Sequence, residues 1–361
     1  MSPSRSEDER FMRRALALAR RGRYTASPNP MVGAVLVRRG KICAEGWHHF
    51  AGRPHAEALA LRRDPGGPPA TLYITLEPCA HHGKTPPCVD TILAAPVRRV
   101  VASVRDADPR VRGRGIARLK AAGLDVTLGV LEREARFLNR MYFHSVGSGL
   151  PWVIVKWAAT LDGRIADRQG RSAWITSEAA RREGKKIREE VDAILVGSRT
   201  VLFDDPLLAR PLEHPPRCPL IKVILDPDGC VPASARVFAS GPVFWMTARR
   251  TRIRGVPPTA VQVRLHSRRG EFEPEEILRR LWEEGVRSVL VEGGGETVGR
   301  FLRARRVQEA AVFWGPRILG GGVPAVTGVD VPLSAAASVE PFQVRRLGAD
   351  LFMRGLVCSP A

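Results

Sequence analysis

The residues between Pro54 and Cys88 have the types and spacing of a hydrolytic metal site. Pro54-His55-Ala56-Glu57 is followed by twenty residues, then Pro78-Cys79, then eight residues, then Cys88. One imidazole and two thiolates give zinc three protein ligands and leave the fourth tetrahedral position open, as catalysis requires. Zinc acidifies a water held there, but hydroxide alone delivers no proton to a departing amine. Glu57, two residues beyond the histidine and not itself a ligand, suits a shuttle that takes the proton from water and passes it to the leaving group. H-x-E with P-C-x-x-C is the pattern of zinc deaminases acting on nucleobases. Here eight residues, not two, separate the cysteines.

A lone histidine or cysteine is more often packed or solvated than metal-bound, and His48, His49, His81 and His82 make this region rich in histidine. The six cysteines, Cys43, Cys79, Cys88, Cys218, Cys230 and Cys358, are too sparse over 361 residues for a disulfide framework. The joint order of His, Glu, Pro-Cys and Cys beside helix-like starts favours metal. The insertion AHHGKTPP is where specificity would reside, with Lys84 either a phosphate contact or a solvated loop lysine.

A second candidate is VEGGGETVG, Val291–Gly299, which follows a strand-like run and opens a helical one, as a phosphate-cradling turn does. It is not a dinucleotide fingerprint, because Gly293 and Gly295 fit the first two positions and the third falls on Val298. A plain tight turn is the competing reading.

The elements that must position these groups alternate. MVGAVLV, TLYITL and RRVVASV read as strands and residues 56–63, 88–95 and 113–122 as helices, an α/β layer arrangement. The opening MSPSRSEDERFMRRALALARRG has charges through its apolar run and reads as a helix rather than a leader. Ser6 and Glu9 have capping-box spacing, and Gly22 stops the run. A helix from Glu132 to about Phe143 leads into HSVGSGL, whose small residues before Pro151 suggest a linker. The boundary is expected near 145–150, dividing residues 1–147 from 148–361. PWVIVKWA, DAILVGS, LIKVILD, PVFWMTA, SVLVEGG and QEAAVFW then read as strands of a second α/β domain, with helices at 177–190 and 274–284 and loops at RPLEHPPRCP and RGVPPTA.

Lys and Arg number 57 against 37 Asp and Glu, a formal charge of +20 that suits polyanions or phosphorylated small molecules. No basic block interleaved with aromatics marks a nucleic-acid footprint. No run of about 18 apolar residues would span a membrane. The expected compartment is the cytoplasm, and the oligomeric state is left open, a homo-oligomer included.

The stretches SPNPMVGAVLV, GWHHFAGRPHAEALAL, TLEPCAHHGKTPPC and RGRG near 112–115 resemble the deaminase half of the bifunctional deaminase/reductase family of riboflavin biosynthesis, within the cytidine-deaminase-like superfamily. KWAATLDGRIA, SAWITS, GSRTVLFDDPLL, VLVEGGGETVGRFL and GPRILGGG resemble its reductase half. The resemblance implies a three-layer αβα deaminase domain followed by a dihydrofolate-reductase-like α/β domain. It implies zinc-dependent deamination of 2,5-diamino-6-(5-phosphoribosylamino)pyrimidin-4-one, then NADPH reduction of the ribosyl group to ribityl. His55, Cys79 and Cys88 become zinc ligands and Glu57 the shuttle. Asn29, His48 and Lys84 would line the pyrimidine pocket, and this chain has Asp108 in DADP where the family more usually has asparagine.

In the reductase half the resemblance assigns Ala158, Trp174, Thr200 and Asp204 to the cofactor, together with Gly294, Gly295, Glu296, Thr297, Val298 and Gly299. Ser172, Arg188, Leu208 and Glu292 match substrate positions, and Arg210 is displaced by one from the family's arginine. Lys156 and Asp162 lie close to the expected transfer site. Arg199 or the Arg249–Arg250 pair would hold the 2′-phosphate of NADPH. The rival reading is a nucleic-acid-editing zinc deaminase with an accessory domain; nucleic acid is otherwise not an expected partner.

Overall fold

The computed structural model describes residues 5–82, 86–210 and 219–358; Lys84 and Cys218 lie outside them. Two compact units meet in sequence at Gly149 and Leu150.

In the first unit five strands, β1 (Gly33–Arg38), β2 (Lys41–Trp47), β3 (Ala70–Ile74), β4 (Val97–Ala102) and β5 (Asp125–Leu128), form a sheet in the order β2-β1-β3-β4-β5. Strand β1 runs antiparallel to β2 and β3, while β3, β4 and β5 are parallel. Side chains alternate between faces along a strand, so β1 supplies two cores. Ala34 and Leu36 meet the helices α2 (Ala56–Arg62) and α3 (Cys88–Leu93). Val35 and Val37 meet Phe11, Met12 and Ala15 of the N-terminal helix α1 (Arg5–Ala19). Every residue of β1 is buried, as a strand covered on both faces should be.

Four local expectations are corrected. The chain is already helical at Arg5, so Ser6 lies inside α1 and does not cap it. After α4 (Arg114–Ala121), the single helix expected from Glu132 is two, α5 (Glu132–Leu138) and α6 (Arg140–Ser148). They break at Asn139, whose side-chain Oδ1 accepts from Met31 N at 2.7 Å while Nδ2 donates to Met31 O at 2.9 Å. HSVGSGL is not an extended linker: α6 runs through most of it and ends at Gly149, whose φ of 69° is the left-handed conformation favoured after a helix. Strands β2 and β5 were not expected, because their exposed polar positions obscure an apolar run.

The second unit has a nine-stranded sheet. Its strands are β6 (Trp152–Ala159), β7 (Ala193–Gly197), β8 (Ile221–Leu225), β9 (Val243–Ala248), β10 (Ala260–Leu265), β11 (Ser288–Val291), β12 (Glu309–Trp314), β13 (Ser338–Leu347) and β14 (Asp350–Cys358). The order is β10-β9-β8-β7-β11-β6-β12-β14-β13, and all pairs are parallel except those made by β14. The chain builds outward from β7 to β10, then returns to insert β11 between β7 and β6. Ligands of open α/β sheets bind at the carboxyl ends of strands at such a reversal. Helices α7 (Glu178–Glu190), α8 (Ser198–Asp204), α9 (Pro274–Glu283) and α10 (Gly295–Arg303) connect them. Val153, Val155, Leu195, Val289 and Val291 pack with Ile277, Leu281, Val298 and Phe301 in one apolar layer.

One buried ion cluster ties α7 to the far side of this sheet. Arg354 on β14, 2% exposed, donates to Glu190 at 3.0 and 3.2 Å and also to Glu309 on β12. Arg354→Met would strand two buried carboxylates without their cation, and breaking such a group costs about 3 to 5 kcal/mol. Urea unfolding of the full chain followed by tryptophan fluorescence should show that loss; a change below about 1 kcal/mol would contradict it.

Candidate active sites

The metal-ligand set is built by one close approach of helix to sheet and by a segment that closes on itself. At Gly46 on β2 a Cβ would lie 2.3 Å from Ala56 O, so only glycine lets the start of α2 settle on the strand. His55 stands at the N-cap of α2 and Glu57 in its first turn. From the end of β3 the chain runs through Thr75–Pro78 to Cys79, and Cys88 opens α3. Cys88 N donates to Cys79 Sγ at 3.3 Å and Val89 N to Cys79 O at 3.2 Å, which closes the segment on itself.

One ligand atom each from His55, Cys79 and Cys88 lies within 4.8 Å of the others. His55 Nδ1 is 3.1 Å from Cys88 Sγ and 3.7 Å from Cys79 Sγ. A hydrogen bond with Cys88 draws the Cys79 thiol well below its ordinary range against the effect of burial, with His55 helping. The same bond, burial and the charge of Glu57 push Cys88 up. A dication held between them would keep both sulfurs as thiolates. Glu57 is 3% exposed, and its Oε2 is buried with no hydrogen-bond partner among the described residues. Burial raises its carboxyl, with the charge of His55 opposing. An orphaned carboxylate oxygen beside three convergent soft and borderline donors fits zinc with an open position.

Asn29 and His48 are brought together next to this set. His48 Nδ1 lies 3.3 Å from Pro54 O and its Nε2 3.1 Å from Asn29 Nδ2, so a neutral ring donating to Pro54 and accepting from Asn29 satisfies both contacts. Burial, with the charge of His55, lowers His48 to about 4. Its ring centroid is 5.2 Å from that of His55, edge to face. Asp108 is turned to Arg110, which donates to it at 3.0 and 2.6 Å. Reading the sequence missed Glu77 and Asn139. The signal for Glu77 was a carboxylate at the end of the apolar run TLYITL; Asn139 sat unremarked inside a helical pattern.

In the second unit Lys156, Arg188 and Glu292 come together. Arg188 donates to Glu292 through Nε at 2.8 Å and Nη2 at 2.9 Å, and Lys156 Nζ is 3.7 Å from Glu292 Oε2. Burial alone would raise the Glu292 carboxyl, but Lys156 and Arg188 outweigh it and hold it well below the usual range. Lys156 lies on β6, Arg188 on α7 and Glu292 one residue past β11, at the topological reversal.

The glycine turn divides its labour. A Cβ on Gly293 would meet the Thr297 side chain at 2.7 Å, one on Gly295 would meet Pro324 O at 2.4 Å, and one on Gly299 would meet Thr327 O at 1.7 Å. Those glycines serve packing; Gly294 faces open space with nothing within 4 Å of its Cβ position, and Glu296 is exposed. Val298 is fully buried in the core, so its side chain is unavailable to a ligand. A Cβ on Gly197 would lie 3.1 Å from Thr297 Oγ1, which brings the turn carrying Thr200 alongside α10. This paired arrangement at the carboxyl edge of parallel strands fits the phosphates of a dinucleotide.

The remaining candidates are spread around that edge. Ser172 Oγ donates to Asp204 at 3.4 Å, and Arg199 donates to Glu296 at 2.6 Å. Trp174 is 65% exposed at a φ of 64°, with the Arg181 guanidinium 4.2 Å over its ring; exposure and a left-handed backbone argue against core packing. Leu208 is 5% exposed and so is packed. Ala158 pairs with Phe313 across β6 and β12. Arg210 donates to Val191 O at 2.8 Å, and the carbonyl of the preceding Ala209 lies 3.4 Å from Arg188 Nη1. Asp162 accepts from Leu319 N at 3.1 Å and Gly320 N at 2.7 Å, clamping that loop rather than joining the Glu292 group.

Comparison with known proteins matches both halves. The cytidine and deoxycytidylate deaminase zinc-binding region matches residues 5–104, and the RibD C-terminal domain matches residues 151–353. Riboflavin biosynthesis protein RibD of Chlamydia trachomatis is 40% identical over 91% of this chain and 90% of its own length. The solved structure of Acinetobacter baumannii RibD superposes with a TM-score of 0.90 at 32% identity, covering 99% of this chain and 100% of that one. A Thermotoga maritima structure described as a diaminohydroxyphosphoribosylaminopyrimidine deaminase/5-amino-6-(5-phosphoribosylamino)uracil reductase has a TM-score of 0.88 at 35% identity, covering 98% and 99%. Its two units, a cytidine-deaminase-like domain and a dihydrofolate-reductase-like domain in that order, and its likeness over nearly the full length establish that this chain belongs to the RibD family of riboflavin biosynthesis proteins.

Proposed function

We propose that residues 1–147 deaminate a phosphoribosylated diaminopyrimidine and that residues 148–361 reduce the ribosyl group of the product to an open ribityl chain. The protein is a bifunctional enzyme of riboflavin biosynthesis, a zinc-dependent deaminase and an NADPH-dependent reductase. The observation that carries the reading of the first site is the convergence of His55, Cys79 and Cys88 beside the orphaned, buried Glu57. The editing-deaminase alternative is set aside, because its supposed accessory domain is itself the RibD C-terminal domain. Cytoplasmic placement remains part of the proposal; among the described residues no helix is long and apolar enough to cross a membrane.

His55 and the thiolates of Cys79 and Cys88 would hold zinc, which supplies a Lewis acid that makes water nucleophilic near neutrality. Glu57 takes one proton from the attacking water and gives it to the ring nitrogen, then takes the second from the added hydroxyl and gives it to the amine, so the C–N bond breaks, ammonia leaves and a carbonyl remains. Neutral His48, fixed by Pro54 and Asn29, orients the amide of Asn29 toward the pyrimidine. In the reductase Glu292 faces substrate with Lys156 beside it, and Arg188 locks the carboxylate in place. The Gly294 turn and the start of α8 would hold the phosphates of NADPH, which would supply the hydride.

Two substitutions separate metal from proton transfer. Cys88→Ser should lose zinc and ammonia release together, since a hydroxyl does not replace a thiolate ligand. Glu57→Gln should keep one zinc per chain and lose at least about a hundredfold in deamination, the scale of a positioned acid/base. Metal analysis and ammonia assay check both; full activity in metal-free protein, or in Glu57→Gln, contradicts the assignment.

Arg199 is ion-paired at the surface, whereas Arg249 and Arg250 are exposed just past the carboxyl end of β9. We assign the 2′-phosphate to Arg249 and Arg250. A fragment spanning 150–361 should fold, reduce the deaminated ribotide without zinc and prefer NADPH. Replacing both arginines with alanine should cost about 1.5 to 3 kcal/mol toward NADPH alone, about ten- to a hundredfold. Steady-state rates with each cofactor decide this: equal use by the unmutated fragment refutes the preference. A ratio altered only by Arg199→Ala moves the contact there.

A further inference from the structure

We propose that Glu77 is a positioning residue for the deaminase. Its buried carboxylate gathers the main chain of residues 106–116 onto the segment that bears Cys79 and so sets how the pyrimidine is held beside the metal ligands.

Glu77 is 3% exposed, and its charge is met by main-chain N–H groups on both oxygens. Asp106 N and Gly113 N donate to Oε2 at 3.3 and 2.9 Å; Gly115 N and Ile116 N donate to Oε1 at 3.0 and 3.2 Å. Charge-assisted bonds of this kind are stronger than neutral ones, and four on one carboxylate fix a loop that lacks regular structure until α4. Gly113 supplies the turn with a φ of 81°, and a Cβ on Gly115 would lie 2.0 Å from Pro78 O. The loop is thus pressed on the peptide immediately before Cys79.

Its first residues are held to one another and to α6. Asp106 Oδ1 accepts from Tyr142 OH at 2.7 Å and from Asp108 N at 2.9 Å, and Asp108 is paired with Arg110. One carboxylate therefore couples a polar loop carrying Asp108 and Arg110 to the ligand segment. A role in stability alone would leave substrate affinity untouched, and that difference is measurable.

The inference rests on the deaminase reading of the His55, Cys79 and Cys88 site. The test uses full-length zinc-loaded protein as wild type, Glu77→Gln and Gly113→Ala. The last loosens the same loop without touching the Cys79 segment, in case Glu77→Gln fails to fold. Zinc content, amide hydrogen exchange across 106–116, and kcat and KM for ammonia release from the diaminopyrimidine ribotide are measured. Zinc should be unchanged, exchange at Asp106, Gly113, Gly115 and Ile116 faster, and KM raised about ten- to a hundredfold with kcat altered far less. Unchanged exchange, faster exchange with unchanged KM, or loss of zinc would each overturn the proposal. Wild-type protein that releases no ammonia would remove the deaminase reading itself and the inference with it.

Discussion

The deaminase unit is organised by one demand: an imidazole and two sulfurs from distant parts of the chain must meet within 4.8 Å while a carboxylate is buried beside them. The start of α2, which carries His55 and Glu57, has to come down onto edge strand β2, and Gly46 under Ala56 makes this possible; Gly33, where a Cβ would lie 2.0 Å from Ala15 O, does the same for α1 on the opposite face. Burying Glu57 with an unpartnered oxygen is unfavourable for the folded chain by itself. On the proposed reading that oxygen is the one that moves protons, so the cost in stability and the fitness for chemistry reside in the same atom.

The reductase unit meets a different constraint with the same kind of device. A carboxylate at the sheet reversal, Glu292, is kept ionised out of water by Arg188 and Lys156, so a charge is available where substrate is expected. The turn that follows spends Gly293, Gly295 and Gly299 on close packing and leaves Gly294 open. A run of glycines is therefore a poor guide to which of them meets a ligand, since a missing Cβ serves a neighbouring backbone as readily as a phosphate.

Much of this was legible in the sequence, for physical reasons. The convergence of His55, Cys79 and Cys88 was readable because metal chemistry restricts residue type and spacing, and the strands of the second unit because parallel strands buried on both faces read as continuous apolar runs. Edge strand β2, with its outward polar residues, was not readable in that way. Nor were long-range polar clamps: Asn139 pairs with Met31 across 108 positions and Arg354 with Glu190 across 164. Nothing in the local pattern around Asn139 predicts that it breaks a helix to hold the loop of Asn29. Val298, a motif position assigned to cofactor, has its side chain in the core, which leaves only its main chain for such a contact.

Two chemistries on successive forms of one pyrimidine, each with its own cofactor, are the central claim. The most direct measurement is product identity by mass spectrometry after the purified zinc-loaded protein is incubated with the diaminopyrimidine ribotide, with and without NADPH. Without NADPH the ribosylaminouracil and one equivalent of ammonia should accumulate; with NADPH the ribityl product should replace it. Reduction without prior loss of ammonia, or no difference between the two mixtures, would contradict the claim.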